Sequence, residues 1–186
     1  MITEIERAKY QKMWSFDEYR KFSPAAVIAD YSHDMFAEHG MVGSLIDFGC
    51  GTGRASRRFQ QLGHDVTMVD FVPNAVEVDE IKFVESCLWE LPADLSADNG
   101  FCADVMEHIP PAMVDETLFN ISRAVKNVMI FQIALTPDSC GTLIGEKLHM
   151  TLLSSSQWKQ RLSKHWTEIR SHDEGTSFYY VGRKTV

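Results

Sequence analysis

The sequence predicts an α/β fold: a doubly wound, mostly parallel seven-stranded sheet with helices on both faces and a C-terminal antiparallel hairpin. Three observations carry that prediction. From residue 44 onward, short apolar runs alternate with helical stretches, the pattern of parallel strands joined by crossovers. The run "LIDFG" leads straight into glycines at 49, 51 and 53 and then a helical stretch, a strand–turn–helix at the carboxyl end of a sheet. Finally, "HWTEIRSH" and "SFYYVGR" are separated only by the short turn "DEGT", which makes them a hairpin.

Taken in order, residues 1–40 read as helical. A charged and aromatic segment with Tyr10, Trp14, Phe16 and Tyr19 precedes "FSPAAVIADYSHDMFAEHG". There Ser23 suits a cap and Pro24 the first helical position, and Ala26, Ile28 or Ala29, Met35 and Phe36 form an apolar stripe ending at Gly40. Strands follow at about 44–49, 65–71, 81–85, 99–104, 127–135, 165–171 and 177–183, with helices near 53–62, 73–79, 112–125 and 155–164. No repeat or linker divides the chain, so residues 1–186 form a single domain, a helical segment (1–40) ahead of the core (41–186).

Composition narrows the function classes. The chain is 45% hydrophobic and 24% charged, which is that of an ordinary globule. Its formal net charge of -8 argues against a general attraction to nucleic acid or anionic lipid, although Arg54, Arg57 and Arg58 could form a local patch. No run approaches the ~18 apolar residues of a membrane span, and "MITEIERAKY" lacks the apolar core of a secretory signal, so a cytoplasmic location is expected. Cys50, Cys87, Cys102 and Cys140 are widely spaced without a CxxC pair, and read as reduced thiols.

The glycine loop bares a backbone that a nucleotide-like or amino-acid-like ligand can approach. About 20 residues later, Asp70 ends the second strand, "DVTMVDF", where it can accept hydrogen bonds from ribose hydroxyls. The dinucleotide pattern G-x-G-x-x-G needs a small third residue, but counting from Gly49 that place holds Arg54, which disfavours a dinucleotide. A P-loop is excluded because no Gly-Lys-Ser/Thr follows.

At these residues the chain resembles the class I, seven-stranded S-adenosylmethionine-dependent methyltransferases. "IDFGCGTG" matches the family's first motif, "MVDF" the acidic end of the second strand, "FVESCLWELP" the third-strand region and "GFCADVMEHIPP" the fourth. The match covers roughly residues 40–135 in order. The resemblance implies S-adenosylmethionine as methyl donor, with S-adenosylhomocysteine as its product. It assigns Asp47 and the backbone of Gly49, Cys50, Gly51 and Gly53 to the methionine and ribose portion. Asp70 takes the ribose hydroxyls and Phe71 the adenine face, unless Phe71 is plain core. Many relatives carry an aspartate for the adenine amino group where this chain has Cys87, so adenine is left to backbone groups near Cys87 and Leu88, with Trp89 over its face. Cys102, Ala103 and Asp104 should lie near the methionine end.

Methyl transfer chiefly requires alignment of an acceptor lone pair with the methyl carbon, and a base matters when the acceptor must lose a proton. His108 and Glu107 are the candidate bases, with His149 downstream. Asp104, Glu107, His108 and His149 also echo the acidic, acidic-His and later-His pattern with which some quinone-biosynthesis and small-RNA 2'-O-methyltransferases bind a divalent metal. A divalent metal is the lesser reading, since "DVMEHIP" resembles stretches in metal-free relatives and the usual glutamate is Asp104 here.

Tyr10, Trp14, Tyr19 and Arg20 would give a lid aromatic walls and a cation for a carboxylate; an amphipathic helix packed on the sheet explains them equally. The long connection carrying His149 and ending near Trp158 is expected to wall an acceptor pocket, with Trp158 as core the competing role. The acceptor expected is a small molecule methylated on oxygen or nitrogen. The alternatives are nucleic-acid or nucleotide modification, which a contiguous Lys/Arg patch at the cofactor mouth would favour, and a cofactor-binding accessory protein without transferase activity. Oligomeric state is not legible.

Overall fold

The computed structural model describes residues 2–21 and 24–185, so the predicted cap Ser23 lies outside the described residues. Two helices, α1 (Ile2–Met13) and α3 (Pro24–Glu38), with the short turn α2 (Asp17–Arg20) between them, precede the core. The core runs β1 (Ser44–Phe48), α4 (Arg54–Gln61), β2 (Asp65–Asp70), β3 (Lys82–Glu85), β4 (Ala97–Ala103), α5 (Val114–Ala124), β5 (Val125–Ala134), α6 (Ser155–Leu162), β6 (Trp166–Asp173) and β7 (Ser177–Lys184).

The seven strands are ordered β3-β2-β1-β4-β5-β7-β6, all parallel except β7, which runs antiparallel to both neighbours. The period of two along each strand feeds two apolar layers. Leu45, Val66, Met68 and Phe101 meet Phe36 of α3 and Phe59 of α4 on one face. Ile46, Phe48, Val69 and Phe131 meet Leu118 and Ile121 of α5 and Trp158 and Leu162 of α6 on the other. Trp158 is therefore core, not pocket wall.

One predicted helix is absent. Residues 73–79 form only a 3-10 turn at Pro73–Ala75 before an irregular run into β3. The groups that would propagate a helix are engaged elsewhere: Arg20 donates to the carbonyls of Asn74 and Ala75, and the Glu77 amide donates to Thr52 O at 3.0 Å. Arg20 also pairs with Glu77, so it ties α2 to this connection and is not the free cation expected of it. The helix expected over 112–125 begins at Val114, after a 3-10 turn at Pro111–Met113. Strand order reverses between β1 and β4, whose carboxyl ends, with that of β2, bring Gly49, Asp70 and Asp104 to one edge of the sheet.

Candidate active site

Gly49, Gly51 and Gly53 have φ values of 74°, 50° and 79°, a region glycine enters without the penalty a Cβ brings. Space enforces the same choice at Gly49, where a Cβ would lie 2.5 Å from a Val105 methyl, and at Gly51, where it would meet the Trp14 ring at 3.0 Å. Asp70 is buried behind the loop, its two oxygens accepting from the Gly51 and Val72 amides at 3.0 Å each. Burial pushes its carboxyl up to about 6, against the pull of those donors.

Two chambers open from this edge. The first has about 610 Å³ of free space and is walled by Asp70, Phe71, Cys87, Leu88 and Trp89, with Glu6, Tyr10, Trp14 and Tyr19 of the N-terminal segment above. The second is larger, about 1190 Å³, and is bounded by the loop Gly49–Thr52, Ala103, Asp138, Cys140, Leu148 and His149; both open to solvent. Both are lined by Gly49, Asp104, His108, Trp14 and Tyr19. Trp14, just after α1, and Tyr19 of α2 thus cover the place where the chambers meet.

Asp104 ends β4 with φ of 53°, a left-handed conformation Asp tolerates better than most side chains. Gln132 of β5 braces it: the Asp104 amide donates to Gln132 O at 2.9 Å and Gln132 Nε2 donates to Asp104 Oδ1 at 2.8 Å. Asp104 Oδ2 and both carboxylate oxygens of Glu107 are buried without a hydrogen-bond donor. Burial, then the Asp104 charge, raises the Glu107 carboxyl well above its usual range, and burial raises Asp104 as well. One proton held between them would satisfy both groups.

His108 follows on a 3-10 turn, its ring edge-on to His149 at 4.8 Å between centroids. Its Nδ1 lies 2.7 Å from the Tyr10 hydroxyl and 3.3 Å from Leu148 O. Burial first, then His149, pulls His108 down to about 3, so the ring is neutral at physiological pH. His149 Nδ1 donates to Thr136 O at 2.5 Å. Asp138 organises the long connection, accepting from the amides of Gly141, Leu148 and His149. One donor atom each from Glu107, His108 and His149 lie within 4.8 Å of one another.

The remaining predicted residues divide. Phe71, Cys87 and Leu88 line the first chamber, and Cys50 and Gly51 the second. Gly53 packs against Met68 and Val78, and Cys102 is wholly enclosed in the core. Asp47 lines neither chamber. It points with Leu45 toward α4 and accepts from Ser56 Oγ at 2.5 Å, and burial lifts its carboxyl to about 7. Glu107 likewise lines neither. Sequence reading missed Glu6, Val105, Gln132 and Asp138, of which only Asp138 carried a local signal, the turn-forming "TPDSCG".

The three α4 arginines do not form a free basic patch: Arg54 pairs with Glu77, Arg57 with Glu80 and Arg58 with Asp30. Among the described residues, Lys21 is the one Lys or Arg lining the second chamber. All four cysteines are free thiols. No helix among the described residues is long and apolar enough to cross a membrane.

Several solved structures share the fold. The N-methyltransferase NodS from Bradyrhizobium japonicum WM9, in complex with S-adenosylhomocysteine, is 10% identical with a TM-score of 0.71, covering 97% of this chain and 99% of its own. Magnesium protoporphyrin IX methyltransferase (ChlM) from Synechocystis PCC 6803, also with bound S-adenosylhomocysteine, is 14% identical with a TM-score of 0.68, covering 96% and 94%. The 1,6-didemethyltoxoflavin-N1-methyltransferase of Burkholderia thailandensis, with 1,6-didemethyltoxoflavin and S-adenosylhomocysteine bound, is 20% identical with a TM-score of 0.63, covering 88% and 77%. Comparison with curated proteins finds no match. The methyltransferase-domain family model matches residues 16–180, nearly the whole chain. With that match and this sheet, the chain belongs to the methyltransferase-domain family and has the fold of class I S-adenosylmethionine-dependent methyltransferases.

Proposed function

We propose that this methyltransferase acts on an oxygen or nitrogen of a small-molecule acceptor seated in the second chamber, with the donor in the first. The observation that carries the reading is the meeting of two chambers of different lining at Gly49, Asp104 and His108, with Lys21 the one Lys or Arg on the acceptor side among the described residues. A polymeric nucleic acid would need a contiguous basic surface there, and the nearby arginines are already paired. The small molecules for which two of these neighbours are named, 1,6-didemethyltoxoflavin and magnesium protoporphyrin IX, support a small acceptor by analogy of fold.

The chamber residues fit S-adenosylmethionine. Asp70 offers a buried carboxylate to ribose hydroxyls, Phe71 and Trp89 offer ring faces to adenine, and the cramped backbone at Gly49–Gly51 admits the methionine portion. When bound, the donor supplies an electrophilic methyl carbon on a sulfonium. What this chain adds is alignment, exclusion of water by α1, and a place for the acceptor's proton. Of the two candidate bases, His108 faces both chambers and Glu107 faces neither, so Glu107 is a positioning residue that holds Asp104. With Nδ1–H directed to Tyr10 Oη and Leu148 O, the neutral His108 ring keeps its Nε2 lone pair for a proton released as the methyl bond forms. His149 Nδ1 is fixed by Thr136 O, which leaves Nε2 to orient the acceptor. A cytoplasmic location is part of this proposal.

The cluster of donor atoms favours a second reading of the same residues. Glu107, His108 and His149, with Asp104 beside them, would hold a divalent ion that polarises a hydroxyl acceptor. The first reading needs no metal. Turnover is tested by incubating the protein and S-adenosylmethionine with panels of phenols, hydroxy acids, amines and N-heterocycles, and with RNA and DNA oligonucleotides, reading methylation by mass. A small acceptor that gains a methyl supports the proposal; modification of the oligonucleotides alone, or of nothing, overturns it. Activity unchanged by chelation rejects the metal reading, whereas loss restored by Mg²⁺ or Mn²⁺ selects it.

A further inference from the structure

Helix α1 buries an ion pair that the reading above does not use. Glu6 and Lys9 are only 6% and 5% exposed, and Lys9 Nζ lies 2.5 Å from Glu6 Oε2. A buried pair is a weak stabiliser, because the desolvation of both charges offsets their attraction. Stability is therefore a poor reason for a carboxylate under this helix. Its surroundings offer another, since Glu6 lines the first chamber.

Its place along that chamber follows from helix register. Residues 3, 6 and 10 share one face of α1. Thr3 receives a hydrogen bond from Trp89 Nε1 at 3.1 Å and gives one to Glu90, while Tyr10 lies 5.8 Å from the Phe71 ring and reaches His108. Arg7, on the next column, pairs with Glu85 at the end of β3. Glu6 thus lies along the stretch of wall that runs from Trp89 to Phe71, in the chamber that Cys87 and Leu88 also line. That part is apolar: Phe71, Leu88, Trp89, Val105 and Ile109 supply ring and aliphatic surface, and burial lifts the Cys87 thiol to about 11, so it stays neutral. Lys9 Nζ faces Glu6 Oε2, which has no hydrogen-bond partner among the described residues beyond that ion pair.

An aromatic and aliphatic wall with the Glu6 carboxylate beside it, apart from Asp70 and Asp104 at the strand ends, suits a heteroaromatic base that carries an amino group on its edge. We infer that Glu6 accepts a hydrogen bond from the exocyclic amino group of the adenine, supplying from α1 the acceptor that position 87 lacks. Lys9 orients the carboxylate and keeps it from facing the base as an isolated charge. Closure of α1 then depends on the identity of the base as well as on contact area. The inference concerns donor recognition alone and does not rest on the acceptor or on His108.

Calorimetric titration with S-adenosylhomocysteine and with S-inosylhomocysteine, whose base carries a keto oxygen in place of the amino group, tests it without any acceptor. The wild type should bind the adenosyl ligand at least about tenfold more tightly, the difference expected of one hydrogen bond to a charged group. Glu6→Gln, whose amide can accept from an amino group or donate to a keto oxygen, should narrow the preference to within about threefold. Equal binding of both ligands by the wild type overturns the inference, as does full preference retained in E6Q. Binding of neither ligand would instead overturn the cofactor assignment of the chamber. A second readout needs no variant: the adenosyl ligand should protect α1 from trypsin at Arg7, Lys9 and Lys12 more than the inosyl ligand does, and equal protection by both also overturns it.

Discussion

The two chambers share five lining residues yet are built by different means. The first rests on strand ends: Gly49 after β1, Asp70 closing β2, and Asp104 after β4, all set by the parallel ladder and its order reversal. The second is closed on its far side by the connection after β5, where Asp138 gathers three amides and so brings Leu148 and His149 back to the site. A ladder positions residues by regular geometry; a long loop does so by a few particular hydrogen bonds. Donor binding should therefore resist change on the loop side, and turnover should respond to both sides.

The residue at the junction offers the largest effect. His108→Ala should lower kcat by about 100- to 10,000-fold, the range of a lost general base, while S-adenosylhomocysteine affinity stays within about threefold. Stopped-time methylation assays and calorimetry check the two halves of that statement. A variant that turns over at the wild-type rate would remove both the base and the metal readings of this cluster.

On the donor side the strongest break is Gly49→Ala. Its φ of 74° already strains an L side chain, and the added methyl lies 2.5 Å from Val105. Affinity for S-adenosylhomocysteine should fall by roughly 100-fold, the equivalent of about 2.7 kcal/mol. Gly63→Ala is the control: its φ is also positive, at 94°, but open space surrounds it, so it should lose stability with donor affinity intact. If both variants weaken binding alike, backbone strain rather than the cradle explains the loss.

The same contrast accounts for how much could be read from the chain. Strand, glycine turn, helix and terminal acid lie within a few dozen residues, so their period and spacing are local, and Gly49, Asp70, Phe71 and Cys87, all marked by that local pattern, line the first chamber. Glu6 and Gln132 reach the site from segments far apart in sequence, and no local pattern marks them. The absent helix at 73–79 failed for a similar reason, because the carbonyls it needed are taken by Arg20, more than 50 residues upstream. Asp47 shows the reverse: the motif assigns it to the cofactor, while its side chain turns toward α4 and lines neither chamber.

Tyr10→Phe sharpens the comparison with a milder change. The hydroxyl is buried and within 2.7 Å of His108 Nδ1, so its loss leaves that nitrogen only Leu148 O at 3.3 Å. A hydrogen bond of this kind contributes about 1 kcal/mol, so kcat should drop by roughly fivefold. Calorimetry should record little change in donor affinity, because the ring remains against Phe71. A fall in affinity with kcat unchanged would assign Tyr10 to the roof of the first chamber and not to the histidine.

The smallest effect concerns a residue that the first chamber leaves out. Burial lifts Asp47 to about 7 against a usual value of 3.8, so between those values the folded chain holds a proton that the unfolded chain releases. The stability contributed by that proton is fully present below about pH 4 and is lost as pH rises through about 7. Asp47→Asn has no such proton to lose and keeps an oxygen for Ser56. Its melting temperature should therefore exceed that of the wild type by a wider margin at pH 8 than at pH 5, by a few degrees in scanning calorimetry. A margin independent of pH would mean that Asp47 is already ionised in the fold. A loss of donor affinity of tenfold or more in the same variant would return Asp47 to the cofactor, and the division between scaffold and chamber at the end of β1 would have to be redrawn.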